Sequence, residues 1–301
     1  KSLLDYRFKG RWRNILKNIV GEFFRVCARV RVENVSVDQM ENFSEALWKD
    51  CKLLFLELVN IAEASTPADL NMISDSLDVC TGAAVELFGP ERILQLTPFR
   101  FDIPMTEKLW ERKSRSWLLP VFGKYTKRTT LASFPKVFLP VASQLLKHSQ
   151  IKDQPTLAKK YELLMEHVWT VLPGFCIEPI DAATALSDNK GFLVRTMVGV
   201  MSTKPNLRQI VCDALVILCQ NSIKPEENSP LALATAESNK KCLASFGKRV
   251  LKELLDIYLK LQIEGDRKSA EMILDVITEY AQVCEAAAIS FTFTTSVQRM
   301  L

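Results

Sequence analysis

The chain has 301 residues, of which 48% are hydrophobic and 25% charged, with a formal net charge of +4; this is the balance of a globular protein, not of a disordered or collagen-like one. Its apolar runs, such as Trp117 to Phe122 and Ala286 to Ile289, fall far short of the about 20 residues a membrane span needs, so no membrane partner is expected. Eight cysteines at positions 27, 51, 80, 176, 212, 219, 242 and 284 form no Cys-x-x-Cys pair and are joined by only two histidines, which argues against a zinc site or disulfide framework and suits a reducing cytosolic or nuclear compartment.

Charge is unevenly spread. Residues 1–31 carry nine Lys or Arg against two acids, and residues 107–136 carry eight against two, so these zones stand at +7 and +6 and the remainder at −9. The chain starts at Lys1 and not at methionine, as a processed form or a fragment would.

In chain order, apolar residues first recur at Phe8, Trp12, Ile15, Ile19, Phe23, Val26 and Val30, a spacing of three or four that predicts a long amphipathic helix. Lys9, Arg13 and Lys17 form a separate i, i+4 row on it, and the alternation Val30, Val32 then Val35, Val37 leaves room for a short extended piece at its end. Leu47, Cys51, Leu54, Phe55, Leu58, Val59 and Ala62 predict a second helix. Thr66, Pro67 and Asp69 have the chemistry of a helix start, with a capping hydroxyl, a proline in the first turn and an early acid. That helix runs to about Leu87, and Gly89-Pro90 opens a short one.

Further helices are predicted near 106–119, 131–147, 155–172, 189–201, 206–221, 238–262 and 267–286, with Asn206 and Gln209 placed like a capping box. Lys224 to Pro230 reads as a loop, and the alternation Ile289, Phe291, Phe293 is strand-like. Roughly a dozen helices, or about six pairs at the ~40 to 47 residues per unit of HEAT and armadillo repeats, predict an all-α, HEAT/armadillo-like helical repeat solenoid. The expected divisions are N-terminal repeats with a basic first helix over 1–88, a repeat core over 89–221, a linker over 222–237 and C-terminal repeats over 238–301.

Catalytic patterns are sparse. His167, Cys176 and Asp181 are the residue types of a cysteine protease, but Cys176 follows a Pro-Gly turn within an apolar run and is expected to be buried. The ten glycines never form a phosphate-cradling G-x-G-x-x-G or G-x-x-x-x-G-K loop. No catalytic, cofactor-binding or metal-binding residue is assigned, and no cofactor or small-molecule substrate is expected. The basic zones are different: Lys108, Arg112 and Arg115 share one predicted helix face by their i, i+4, i+7 spacing, and Lys124, Lys127 and Arg128 follow. With Lys9, Arg13 and Lys17 they are the candidates for phosphate contact with RNA.

The runs GPERILQLTPF at 89–99, RSWLLP at 115–120, LASFPKVFLPVA at 131–142 and HVWTVLPGFC at 167–176, followed by Pro179 and Asp181, resemble the family of ribosomal RNA processing protein 12. The resemblance covers about 89–220. It implies a nucleolar HEAT-repeat scaffold, not an enzyme, in small-subunit (pre-40S/90S) maturation, rRNA processing and nuclear export. The partners it implies are the pre-ribosomal particle, through rRNA and assembly factors, and the nuclear transport machinery, with a location in nucleus and nucleolus and shuttling to the cytoplasm. Rival readings of such a helical array are a nuclear transport receptor or adaptor, which favours acidic inner surfaces, and a regulatory scaffold of an enzyme complex. Trp117, Trp169, Phe134, Phe138 and Phe175 read as knobs between helices, and Pro120, Pro140 and Pro173 as residues that end or kink them.

Overall fold

Proline opens helix after helix in this chain, because its missing N–H costs nothing in a first turn whose donors have no helical partner anyway. A computed structural model describes residues 21–23, 37–64, 67–103, 105, 110–151, 153–225 and 230–300. Among them every regular element is helical and no strand occurs, as the apolar periodicity predicts. The helices are α1 (Val37–Ala64), α2 (Pro67–Phe88), α3 (Pro90–Leu96), α4 (Trp110–Lys113), α5 (Leu118–Tyr125), α6 (Leu139–His148), α7 (Pro155–Trp169), α8 (Leu172–Phe175), α9 (Ala182–Thr203), α10 (Pro205–Ile223), α11 (Pro230–Ser245), α12 (Gly247–Glu264), α13 (Arg267–Val283) and α14 (Ala286–Met300). A π-helical turn, Phe134–Phe138, leads directly into α6. The basic first helix and the extended piece after Val30 fall almost wholly outside the described residues.

Two compact units divide the chain, Lys1–Thr126 and Lys127–Leu301, whereas the sequence placed its divisions near 88 and 221. In the first unit α2 packs on α1, α3 and α5. Phe55, Leu58 and Val59 of α1 and Leu77, Cys80, Ala84 and Leu87 of α2 are fully or almost fully buried, at about 1.5–3 kcal/mol for each large side chain removed from water. Gly82 lets the Tyr125 ring lie directly on α2, where any β-carbon would clash with the ring.

In the second unit α10 packs side by side with α13, and α9 with α12, while the short turns at 204 and 265–266 fold each consecutive pair back on itself. The Arg208 guanidinium, 6% exposed, reaches from α10 to Asp266 at the start of α13 (3.6 Å), and its Nε donates to the Met201 carbonyl (2.9 Å). These contacts place the N-terminal ends of α10 and α13 together, so the two helices run parallel.

Several local expectations change. The helix expected over 106–119 does not run through: residues 106–109 lie outside the described residues, α4 ends at Lys113 and Arg115 turns left-handed (φ 61°). That backbone costs about 1–2 kcal/mol, and it is offset by two guanidinium bonds, to Glu63 (2.6 Å) and to the Pro98 carbonyl (3.2 Å). The helix expected over 189–201 starts earlier but is interrupted: Asp188 is extended and Asn189, Lys190 and Gly191 are left-handed. The helix expected over 238–262 breaks at Phe246, whose ring packs on Gly191, and at Gly247, which lies against the Cys284 sulfur. Residues 230–237 are helical, not linker, and the alternating Ile289, Phe291, Phe293 lie within α14. Asn206 and Gln209 form no capping box, since Lys204 caps α10 and the two amides donate instead to Glu166 (2.9 Å) and Asp213 (2.7 Å).

Candidate nucleic-acid interface

The stretch from Arg128 to Asp181 shows what the unusual sequence runs do. Pro140 has no N–H to give and its ring crowds the carbonyl four residues back, so the chain widens into the π-turn before α6, and the Leu139 N–H bonds the Phe134 carbonyl. That turn presents Phe134 and Phe138 to Phe175 (5.8 and 5.4 Å between ring centroids), and Phe134 also meets Trp169 (5.7 Å). All four rings are buried. Beneath them, Asp181 accepts the Leu131 and Ala132 N–H groups, the Arg128 N–H donates to Ile177 and the Ile180 N–H to Thr129. Asn239, itself buried, accepts the Ala183 N–H at the start of α9 and donates to the Pro179 carbonyl.

The protease-like trio is not assembled. The Cys176 thiol is fully buried and burial alone pushes it up to about 12, Asp181 is engaged with backbone, and His167 stands exposed on α7. Among the described residues no group of three His, Cys, Asp or Glu is placed to hold a metal ion, and no helix is long and apolar enough to cross a membrane.

The basic candidates separate on their surroundings. Lys9, Arg13, Lys17 and Lys108 lie outside the described residues, and Arg112 is in α4. Arg115 does not share a helix face with Arg112, because it sits in the turn after α4, buried on Glu63. Lys124 is exposed but pairs with Asp78 (2.7 Å), which also accepts the Tyr125 hydroxyl; the Asp78 hydrogen bond is the main reason the lysine is held well above its ordinary range. Arg128, left-handed at φ 53°, pairs with Glu178 (2.8 Å), whose side chain is largely buried. Lys127 is exposed. Residues 240–252 carry five Lys or Arg and no acid, a third basic stretch outside residues 1–31 and 107–136.

Comparison with known proteins decides the family. The family model described as "Ribosomal RNA-processing protein 12, HEAT repeats" matches residues 1–261. The chain belongs to this family. Among relatives, the RRP12-like protein of Homo sapiens is 30% identical over 230 residues, 75% of this chain and 16% of that protein. The RRP12-like protein of Gallus gallus is 28% identical over 292 residues, 94% and 19%. Ribosomal RNA-processing protein 12 of Saccharomyces cerevisiae is 23% identical over 231 residues, 73% and 18%. The chain therefore spans less than a fifth of the length of these relatives. In this RRP12-family chain the resemblance-bearing residues Arg115, Phe134, Phe138, Trp169, Phe175 and Asp181 all make contacts that hold the fold.

Proposed function

We propose that the chain is a stretch of a non-catalytic HEAT-repeat scaffold acting in ribosomal RNA processing. In this reading the whole protein serves maturation of small-subunit precursors (pre-40S and 90S) and their nuclear export. It works in nucleus and nucleolus, shuttles to the cytoplasm, and meets rRNA, assembly factors and the nuclear transport machinery. The observation that carries the reading is the family match over residues 1–261. The side-by-side helix pairs support it physically, since stacked repeats offer long surfaces to large partners.

RNA contact through backbone phosphates is assigned to Lys9, Arg13, Lys17, Lys108, Arg112, Lys124 and Lys127. Arg115 and Arg128 hold Glu63 and Glu178 and act first on the fold. Lys124 can exchange its exposed Asp78 contact for a phosphate at small cost, as surface ion pairs are worth about 0–1 kcal/mol.

The test is ultraviolet crosslinking of the tagged full-length protein in its own cells, with sequencing of the bound RNA. Enrichment of small-subunit precursor rRNA supports the reading; recovery with a transport GTPase or a phosphatase and no precursor rRNA refutes it.

A further inference from the structure

The parallel pair α10 and α13 is covered on one side, where α9 packs on α10 and α12 on α13. Its other side faces water and carries charge that the fold does not balance. Asp213 of α10 and Glu271 and Asp275 of α13 are exposed there, and Glu279 is half-buried. Residues 209–223 and 269–283 hold these four acids and no Lys or Arg, in a chain of net charge +4. Among the described residues none of the four stands at ion-pair distance from a cation: Asp213 accepts the Gln209 amide (2.7 Å) and Glu279 the Gln282 amide (3.3 Å). Arg208 is engaged with Asp266 (3.6 Å), and Lys224, Arg267 and Lys268 sit only at the ends of the pair.

Stability does not call for this arrangement. Glu271, Asp275 and Glu279 follow one another at four-residue steps, and like charges so spaced on a helix repel. Glu279 is near the C-terminal end of α13, where the helix dipole favours a cation, and the last turn has no basic residue. Apolar surface accompanies the acids. Leu274 is 44% exposed, and Val216 of α10 and Met272 of α13 are half-buried. Glu279 acts electrostatically on the Cys219 thiol of α10, so it borders the seam where the two helices meet.

We propose that this open face docks a Lys/Arg-rich segment of a partner protein. Lysine and arginine supply the charge that the acids lack, and their long methylene stems lie well on Leu274, Val216 and Met272. A field of one sign also steers a basic partner to the face before contact. RNA is the wrong partner here, because its phosphates would join the repulsion already present. The face shares no residue with the RNA contacts assigned above, so either can fail alone.

The experiment measures binding of a fluorescein-labelled peptide repeating Lys-Leu-Lys-Ser to the full chain, by fluorescence anisotropy across a salt series. A length of about 12 residues, extended, more than spans the 17 residues of α13. The variants are Asp213→Asn/Glu271→Gln/Asp275→Asn/Glu279→Gln and, separately, Leu274→Ser; circular dichroism melts verify that both fold. At about 0.1 M salt the quadruple variant is expected to bind about ten-fold more weakly, with most of the salt dependence gone. Leu274→Ser is expected to bind about three-fold more weakly with the salt dependence kept. A control of equal charge loss at exposed acids elsewhere, Glu57→Gln/Asp75→Asn/Asp102→Asn/Asp153→Asn, is expected to keep wild-type affinity.

No binding of the peptide by the wild type, wild-type affinity in the quadruple variant, or an equal loss in the control each overturns the proposal. So does full affinity in Leu274→Ser. A parallel arm uses oligouridine: equal RNA binding by wild type and quadruple variant is expected, and RNA binding that falls with the four acids removed overturns the assignment of the face to a basic protein segment.

Discussion

The Asp181 carboxylate accepts the Leu131 N–H at 2.5 Å across fifty residues of sequence, with the Ala132 N–H on its second oxygen (3.3 Å). One side chain thus satisfies two donors just before the π-turn, as an N-cap would. Asp181→Ala is expected to destabilise the second unit by about 1–3 kcal/mol, because it strands the partly buried Leu131 N–H. Asp181→Asn, which keeps one acceptor, should lose less. Thermal melts check the order; equal melting of Ala variant and wild type refutes it.

The four buried rings around the π-turn predict a larger loss. Phe138→Ala and Phe175→Ala each leave a cavity in a fully buried site, at about 3–5 kcal/mol. Phe138→Leu keeps much of the volume and should cost clearly less. Urea unfolding with tryptophan fluorescence reads this out, since Trp169 lies in edge contact with Phe134 of the same cluster.

Two glycines of α9 predict opposite signs. Gly191 has φ +77° and a β-carbon there would stand 2.6 Å from the Phe246 ring. Gly191→Ala is therefore expected to destabilise by about 1–3 kcal/mol through strained backbone and displaced packing. Gly199 is helical with open space around it, so Gly199→Ala should stabilise by about 0.5–1 kcal/mol. A pair of variants that shift the melting temperature in the same direction contradicts this account.

Buried thiols predict a pH dependence. Burial pushes Cys176 and Cys212 up to about 12 and Cys284 to about 11, from an ordinary 9.0. Below pH 9 both folded and unfolded chains keep these protons and stability is unaffected. Between about pH 9 and 11 the unfolded chain loses them while the folded chain does not, so stability falls as pH rises. Denaturant titrations at pH 8 and pH 10.5 check the sign. A combined Cys176→Ala/Cys212→Ala/Cys284→Ala variant should show a flatter decline.

Helices were legible from the sequence because each buries one stripe, and a stripe repeats every three or four residues: Leu207, Val211, Leu215 and Leu218 are buried as their spacing requires. Breaks were not legible, because their causes lie far along the chain. Arg115 turns left-handed beside Glu63, 52 residues away, and Phe246 and Gly191 each look ordinary in their own windows. The same holds for the basic candidates: charge is printed in the sequence, but the acid that meets Arg128 or Lys124 is not. Asp181 looked like part of a catalytic trio, and its real partners are main-chain groups that no residue pattern reveals.

The parallel seating of α10 against α13 bears on how the second unit comes apart. Each helix there rests mainly on its neighbours, so unfolding need not be all-or-none. α14 touches mainly α12, and α12 rests mainly on α13; fraying that starts at Met300 has to undo those layers in turn before it reaches Phe175. Amide hydrogen exchange should therefore be graded, fastest in α14 and slowest around the rings of Phe134, Phe138 and Phe175, so that the start of α12 opens well before the aromatic core does.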